Sequence, residues 1–141
     1  MSGVPFHYID LRTFCYATED EARVQGALRQ FLPDEVAINR IENEGFNGDR
    51  IVVLSARVEN ADEIRHVLDE LAAIDLDAIR TELEERVDEN CSLFLRLDKQ
   101  AAYGGRVERG PGIELRAKVE AYPAKKAAAI ENAADALESR A

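Results

Sequence analysis

The sequence predicts a single α+β domain, residues 1–141, in which a mixed, antiparallel-rich sheet carries helices packed on one face. The chain has 141 residues, 46% of them hydrophobic, which fits one domain with a true core. Strand-like and helix-like segments follow one another in the order β-α-β-β-α-α-β-β-α. Neither an internal repeat nor a linker interrupts that order. An antiparallel-rich sheet with helices on one face can leave its other face open to solvent or to a ligand.

Composition and a capping pattern predict the first strand and the first helix. Residues 6–16 are rich in aromatic and β-branched side chains, which favour a strand. Thr18 and Glu21 have the spacing of a capping box, so we expect Thr18 to be the N-cap. Pro33 ends the helix. The apolar face of this helix comprises Val24, Leu28, Phe31 and Leu32.

The middle of the chain predicts a hairpin followed by two helices. Residues 36–42 and 50–59 have strand composition, and a loop with glycine and asparagine joins them. Asn60 is the expected N-cap of the next helix, and Asp75 or Asp77 begins another. The inward-facing residues, at spacings of three and four, are Ile64, Val67, Leu68 and Leu71, then Leu76, Ile79, Leu83 and Val87.

The C-terminal part predicts two more strands, separated by a glycine-rich connector, and a final helix. The connector carries Arg106 and Arg109, and we expect it to be mobile. Pro123 suits the first turn of the final helix. In chain order, strand, connector, strand and helix span residues 92–103, 104–112, 112–122 and 124–141.

Alternation along the predicted strands sorts their side chains into a core face and a second face. The core face of the first strand comprises His7, Ile9, Leu11, Thr13 and Cys15. The second face interleaves aromatic and basic residues: Tyr8, Arg12, Phe14, Phe94, Arg96, Arg116, Lys118 and Tyr122. Such a face suits single-stranded RNA, because bases stack on rings and guanidinium planes while cations meet phosphates. Its four carboxylates equally fit a solvated face of cross-strand ion pairs: Asp10, Asp98, Glu114 and Glu120.

The charge of the chain weighs against nucleic acid as the default partner. Lys and Arg number 18 against 28 Asp and Glu, which gives a net charge of −10 and a pI near 4.7. The lysines are few: Lys99, Lys118, Lys125 and Lys126. An acidic surface with few lysines is typical of adaptation to high salt, where carboxylates hold water and self-repulsion is screened. We therefore expect a halophilic source.

Motifs for catalysis, cofactors, metals and membranes are missing from the sequence. It contains no nucleophile elbow, phosphate-binding loop, dinucleotide fingerprint or zinc-protease motif. Cys15 and Cys91 are expected to be free thiols. His7 and His66 lie on different elements, so we expect no metal site. No segment approaches the ~20 apolar residues of a membrane span, and no signal-peptide pattern is present. We expect a cytoplasmic, non-enzymatic protein without cofactor.

One segment is more specific than any periodicity, namely RLDKQAAYG at residues 96–104. Together with HYIDLRTFCYATEDE near the start and VEAYPAKK near the end, it resembles the archaeal RNA-binding family described as a predicted exosome subunit. The resemblance covers nearly the whole chain. It implies a fold like that of ribosomal protein L-five and a role linked to RNA. It also implies contact or local structural roles for Arg96, Asp98, Lys99, Gln100 and Tyr103.

The expected function is therefore a non-catalytic RNA-binding protein, an accessory of an archaeal exosome-linked or translation assembly. The alternative is a protein-interaction module of such an assembly without direct RNA contact, and an unrecognised enzyme comes third. Lys99 is expected to meet a phosphate, or else to pair with Asp98 at the end of a strand. The oligomeric state stays open, a dimer being one option. The expected RNA-contact residues are Arg12, Phe14, Arg96, Lys99, Gln100, Tyr103, Arg106, Arg116 and Lys118.

Overall fold

Within residues 4–45 and 47–138, which the computed structural model describes, five strands form one antiparallel sheet. In chain order they are β1 (Phe6–Tyr16), β2 (Asn39–Glu44), β3 (Arg50–Val58), β4 (Ser92–Asp98) and β5 (Gly112–Val119). Side by side their order is β2-β3-β1-β5-β4, so the longest strand, β1, lies in the centre. The prediction of an α+β fold with an antiparallel-rich sheet is confirmed.

Helices cover one face of this sheet. They are α1 (Glu21–Arg29), α2 (Ala61–Leu71), α3 (Leu76–Thr81), α4 (Leu83–Arg86), α5 (Lys99–Tyr103) and α6 (Lys126–Glu138). One hydrophobic core joins the helices to the inner face of the sheet, and Ile9 and Leu11 of β1 are almost fully enclosed in it. The inward residues predicted for α2 are the ones that the structure buries, because their spacing of three and four places them on one side of the helix. None of the described helices is long and apolar enough to cross a bilayer.

Short polar side chains begin most of these helices. Asn60 and Asp75 cap α2 and α3, accepting hydrogen bonds from the N–H groups of Glu63 (2.9 Å) and Ala78 (3.1 Å). The expected cap of α1 is wrong, because Asp20, and not Thr18, accepts from a first-turn N–H, that of Ala22 (3.0 Å). Residues 17–19 instead form a turn that brings the Glu19 carboxylate inward.

Strand alternation breaks at His7, which the sequence assigns to the core face. The register between β1 and β5 shifts between Phe6 and Tyr8, so an irregularity at His7 turns its side chain out toward Glu120, with Nδ1 and Oε2 3.6 Å apart. Phe6 takes the buried place, and from Tyr8 onward the predicted alternation holds along β1.

The third predicted helix is shorter than expected and is divided in two. It breaks at Glu82 into α3 and α4, and Val87 leaves the helix to form a bridge with Leu93 of β4. The final helix begins at Lys126, after a turn in which the Lys125 N–H donates to the Pro123 carbonyl (2.8 Å). Two predicted segments extend beyond what the structure describes, at Phe46 in the hairpin loop and at residues 139–141 of the final helix.

The segment predicted as a strand over residues 99–103 is a helix. Asp98 ends β4 and caps α5, accepting from the Ala101 N–H at 2.9 Å. The glycine-rich connector then runs back along β4, where Asp98 N–H donates to Glu108 O (2.8 Å) and Lys99 N–H donates to Pro111 O (3.1 Å). Arg109 adds a two-pronged ion pair to Glu82 at 2.8 and 2.9 Å. The connector is thus tied down at several points, contrary to the mobile segment that its glycines suggest.

Candidate nucleic-acid interface

No element of the described chain covers the face of the sheet away from the helices, and we call it the open face. It is defined by the outward strand side chains, which the pairing register places in rows across the sheet. Ile41 and Phe94 on it are 58% and 43% exposed, so none of the described helices lies over either edge of the sheet. His7, at the start of β1, lies at its margin. The exposed and half-buried residues of the open face are Tyr8, Asp10, Arg12, Phe14, Tyr16, Asn39, Ile41, Asn43, Ile51, Val53, Ser55, Arg57, Phe94, Arg96, Asp98, Glu114, Arg116 and Lys118.

The open face is locally basic although the chain is acidic. Within the strands, its arginines and lysine number five against three carboxylates, because the fourth carboxylate predicted for this face, Glu120, lies beyond the end of β5. The strand residues of the face therefore carry an excess of two positive charges, whereas the whole chain carries −10. Most of the acidic residues lie on helix surfaces and in loops, whereas the outward positions of the strands carry most of the basic residues of the sheet. Charge on the face therefore differs in sign from charge on the molecule.

Asp10 lies at the middle of the open face between two arginines of neighbouring strands. Arg57 binds it with Nε to Oδ1 at 2.7 Å and Nη2 to Oδ2 at 2.9 Å, and Arg116 adds Nη2 to Oδ2 at 3.1 Å. Burial alone would raise the pKa of Asp10, but the hydrogen bonds and charges of Arg57 and Arg116 outweigh it and lower that pKa. The Arg57 guanidinium also stacks 3.9 Å from the ring centroid of Tyr8.

A second ion pair on the open face holds Arg12 against β5. Its Nη2 lies 3.2 Å from Glu114 Oε2, directly across from it on β5, and its guanidinium lies 5.4 Å from the Phe14 ring centroid. In the hydrogen bonds that the described residues make, Arg12 and Arg116 each use only Nη2. Their remaining N–H groups are free for a ligand, and the ion pairs orient them.

Arg96 and Lys118 complete the basic part of the open face. Arg96 is exposed, and its side chain has no hydrogen bond or ion pair with any residue that the structure describes. Lys118 donates to the carbonyl of Asn90. Beside them, a groove of about 440 Å³ runs across the five strands from Asn39 of β2 to Phe94 of β4, with Phe94 as its aromatic wall. This groove offers ring, guanidinium and amide groups in one place.

Four of the residues predicted to contact RNA do not lie on the open face. Lys99 points into the protein, where its Nζ donates to Phe14 O (2.6 Å) and Glu19 Oε1 (2.8 Å) and its side chain is 8% exposed. Tyr103 donates to Glu19 Oε2 at 2.9 Å. Gln100 is exposed on α5, and Arg106 on the connector pairs with Glu108. The open face brings together the other five: Arg12, Phe14, Arg96, Arg116 and Lys118.

The cluster of Glu19, Lys99 and Tyr103 has the character of an internal anchor. Burial would raise the pKa of Glu19, but the hydrogen bonds from Lys99, the Tyr16 N–H and Tyr103 lower it. Burial, followed by the hydrogen bond to Glu19, raises the pKa of Tyr103 to about 12. Lys99 cannot meet a phosphate from this position, and it pairs with Glu19, not with Asp98. The motif RLDKQAAYG thus fixes α5 to the end of β1 and the start of α1.

Arg57 belongs to the open face and is not among the residues singled out from the sequence. The signal for it lies in β3, where Val52, Leu54, Ala56 and Val58 alternate with outward residues. Extending the same alternation to the third strand places Arg57 outward, beside Asp10. In the described part of the chain, no group of three or more His, Cys, Asp or Glu side chains is arranged to hold a metal ion.

Comparisons with known proteins point to one family. The family model described as RNA binding matches residues 8–119, which include all of β2 to β5 and most of β1. RNA-binding protein PAB1135 of Pyrococcus abyssi is 36% identical over 144 aligned residues, with 94% of each chain covered. Uncharacterized protein MJ0213 of Methanocaldococcus jannaschii is 31% identical over 107 residues, covering 69% of this chain and 71% of that one.

Solved structures agree with this assignment. Mth689, a DUF54 protein of Methanothermobacter thermautotrophicus, superposes with a TM-score of 0.81 at 40% identity, covering 94% of this chain and 98% of that one. AF2318 of Archaeoglobus fulgidus gives a TM-score of 0.82 at 27% identity, with 93% and 99% covered. The resemblance seen in RLDKQAAYG is therefore confirmed, and the chain belongs to this RNA-binding family.

Proposed function

We propose that the protein binds RNA in the cytoplasm without catalysing a reaction on it, and that the open face is the contact surface. The observation that carries the proposal is the excess of positive charge on that face in a chain of net charge −10. Membership of the RNA-binding family supports RNA as the ligand. The resemblance further supports a role as an accessory of an archaeal exosome-linked or translation assembly.

Single-stranded RNA fits the chemistry of the face better than a duplex does. Phe94 and Phe14 present ring surfaces on which unstacked bases can lie, and each lies next to an arginine. Arg96 offers five N–H donors with no competing carboxylate bound to it among the described residues. Phosphates along one strand would meet the arginines while the bases stack between them.

The acidic remainder of the molecule does not prevent this binding at high salt. Charges separated by more than a Debye length are screened, and that length is about 3 Å in 1 M salt. At this salt concentration, a phosphate on the open face interacts electrostatically with Arg12, Arg96 and Arg116, while its repulsion by carboxylates on the helical side is screened. Stacking and short charge-assisted hydrogen bonds supply the affinity under these conditions.

The groups on the face suit binding better than chemistry. Among the outward side chains of the described strands, the one histidine is His7 at the start of β1, which lies against Glu120, and no cysteine is present. The central carboxylate, Asp10, is held ionised by two arginines. An ionised, doubly paired carboxylate is a poor general acid or base. RNA incubated with the protein should therefore keep its length on a denaturing gel, and cleavage that copurifies with the protein would contradict this part of the proposal.

The contact surface can be tested with two matched double variants. Arg96→Gln with Arg116→Gln removes two cations from the open face, whereas Arg65→Gln in α2 with Lys125→Gln in the turn before α6 removes two that are not among its residues. Fluorescence anisotropy with a labelled single-stranded oligonucleotide measures Kd. We expect the open-face pair to raise Kd about tenfold or more, since each charge-assisted hydrogen bond contributes roughly 1.5 kcal/mol. Equal effects from both pairs, or no binding by the unmodified protein, would refute the proposal.

Association with a larger assembly needs a separate experiment. The tagged protein is captured from an archaeal extract with and without prior ribonuclease treatment, and the retained proteins are identified. Partners lost after ribonuclease support a link through RNA. Partners retained after it, together with no crosslinked RNA, would favour an interaction module without RNA contact.

A further inference from the structure

The outer edge of β2 is unpaired and fully accessible. All six residues of the strand are exposed, and among the described residues its hydrogen-bonded strand partner is β3, along the inner edge. Ile41, at the middle of the strand, is 58% exposed on the open face. An exposed edge strand with a central apolar residue is a template for another strand, and proteins protect such edges unless they use them.

The sequence of this edge is complementary to itself. Around Ile41 the strand reads Asn39-Arg40-Ile41-Glu42-Asn43, so a base and an acid stand at mirrored positions and an asparagine stands beyond each. When two copies of such a strand run antiparallel with Ile41 opposite Ile41, each Arg40 faces Glu42 of the other copy. Opposite charges directly across an antiparallel pair stabilise it.

We propose that β2 pairs with β2 of a second copy of this chain, with Ile41 on the two-fold axis, so that two five-stranded sheets become one continuous sheet. The axis stands perpendicular to the sheet and keeps the two open faces on the same side. The asparagine on either side of Ile41 faces its counterpart, since Asn39 lies opposite Asn43 of the second copy.

Side-chain positions in the structure fit this register. Arg40 and Glu42 lie on the helical side, because their partners on β3 are the core residues Leu54 and Val52. Arg40 uses Nε and Nη2 in its hydrogen bonds to Glu21 and Glu42. In the described part of the chain, Arg40 Nη1 and Glu42 Oε2 make no hydrogen bond. One donor and one acceptor on each copy are therefore free for the pairing.

Other registers are less favourable. Centring the axis on Glu42 places two carboxylates directly opposite each other, which is destabilising. Moving the register by a single residue would pair outward side chains with inward ones. An extended peptide of another protein could add to the same edge, but the mirrored Arg40 and Glu42 favour a copy of this strand. Net charges of −10 on both copies repel at low salt, and this repulsion is screened in molar salt.

Sedimentation velocity in about 1 M KCl, where the Debye length is ~3 Å, tests the association. The unmodified chain should shift from monomer to dimer as its concentration rises. Ile41→Arg, which places two like charges at the axis, should raise the dissociation constant at least about tenfold. The matched control is Ile51→Arg on β3, which changes an apolar residue of the same face away from the edge and should leave the dimer intact. A monomer at every concentration overturns the proposal.

Disulfide trapping tests the register, because both native cysteines are buried. Ile41→Cys should form a homodimer on oxidation, since opposed Cα atoms lie about 4.5–5.5 Å apart, within disulfide range. Asn39→Cys and Asn43→Cys should each stay monomeric alone and should crosslink with each other when mixed. Efficient self-crosslinking of Asn43→Cys, or none in the mixture, would overturn the proposed register even if the protein dimerises.

Discussion

Replacing Lys99 with methionine tests the role of the internal anchor. The ammonium group is enclosed by Glu19, the Phe14 carbonyl and the Tyr16 ring, and it lies 5.4 Å from the centroid of that ring. Methionine keeps most of the apolar stem but removes the charge, so Glu19 loses its cation and the Phe14 carbonyl loses a donor. A residue on an RNA surface would tolerate this change, whereas an anchor would not.

The expected loss follows from the burial of the pair. Removing one partner of a fully buried ion pair costs about 3–5 kcal/mol. Glu19 is 22% exposed and keeps its hydrogen bonds from the Tyr16 N–H and Tyr103, which moderates the loss. We expect Lys99→Met to lower the free energy of unfolding by about 2–3 kcal/mol. Urea unfolding followed by circular dichroism measures it, with Lys125→Met as the exposed-lysine control.

The pH dependence gives a second readout of the same change. The pKa of Glu19 is lowered in the fold, so its ionisation stabilises the protein above the unfolded pKa of about 4.3 and this contribution is lost as the pH falls through the folded pKa. Without Lys99 the strongest cause of the lowering disappears, so stability should fall less steeply below about pH 4.3. A loss under about 0.5 kcal/mol with an unchanged pH profile would refute the anchor and return Lys99 to the candidate RNA contacts.

Three further predictions concern the backbone and salt. Gly112→Ala should destabilise the protein by about 3 kcal/mol, because the φ of Gly112 is +121° and an added Cβ would overlap the Cβ of Lys99. Gly26→Ala in α1 should stabilise the protein by about 0.5–1 kcal/mol, because the space around Gly26 is open. Urea titrations compare the two variants, and equal effects would contradict both expectations. The melting temperature should be higher in molar than in low KCl, as expected of a halophilic protein, and equal melting points would contradict it. RNA affinity should fall with KCl less steeply than for a basic RNA-binding domain, and a steep log Kd against log [KCl] plot would indicate many phosphate contacts instead.

The sequence predicts which strand residues face outward because side chains alternate strictly along a strand. Arg12, Arg96 and Arg116 lie where that rule places them. The rule fails at His7, since a single irregularity in pairing with β5 reverses the direction of a side chain and alternation has no means of showing it. Alternation predicts on which face of the sheet a residue lies, but not which residues of neighbouring strands lie beside it. The contact between Asp10 and Arg57 therefore cannot be predicted without the order of the strands.

The anchor was missed for a different reason. Carrying the strand pattern beyond Asp98 places Lys99 at an exposed end, whereas Asp98 begins a helix. The signal was present, because an aspartate followed by Lys-Gln-Ala-Ala-Tyr and two glycines has a cap, good helix formers and a helix stop. No local pattern predicts that Lys99 contacts Glu19, because the two residues are 80 positions apart in the chain.

The central position of β1 has a consequence for how the chain folds during synthesis. β1 is made before both of its neighbours, and its register with β5 pairs Thr13 with Ile113, so the middle of the sheet closes only after most of the chain has left the ribosome. Until then β1 can pair with β3 along one edge, whereas the edge that pairs with β5 stays open. Such long-range pairing slows folding and leaves an apolar strand with an unpaired edge exposed to other nascent chains. During synthesis β1 is therefore a site of aggregation that a chaperone would protect, although it lies at the centre of the folded sheet.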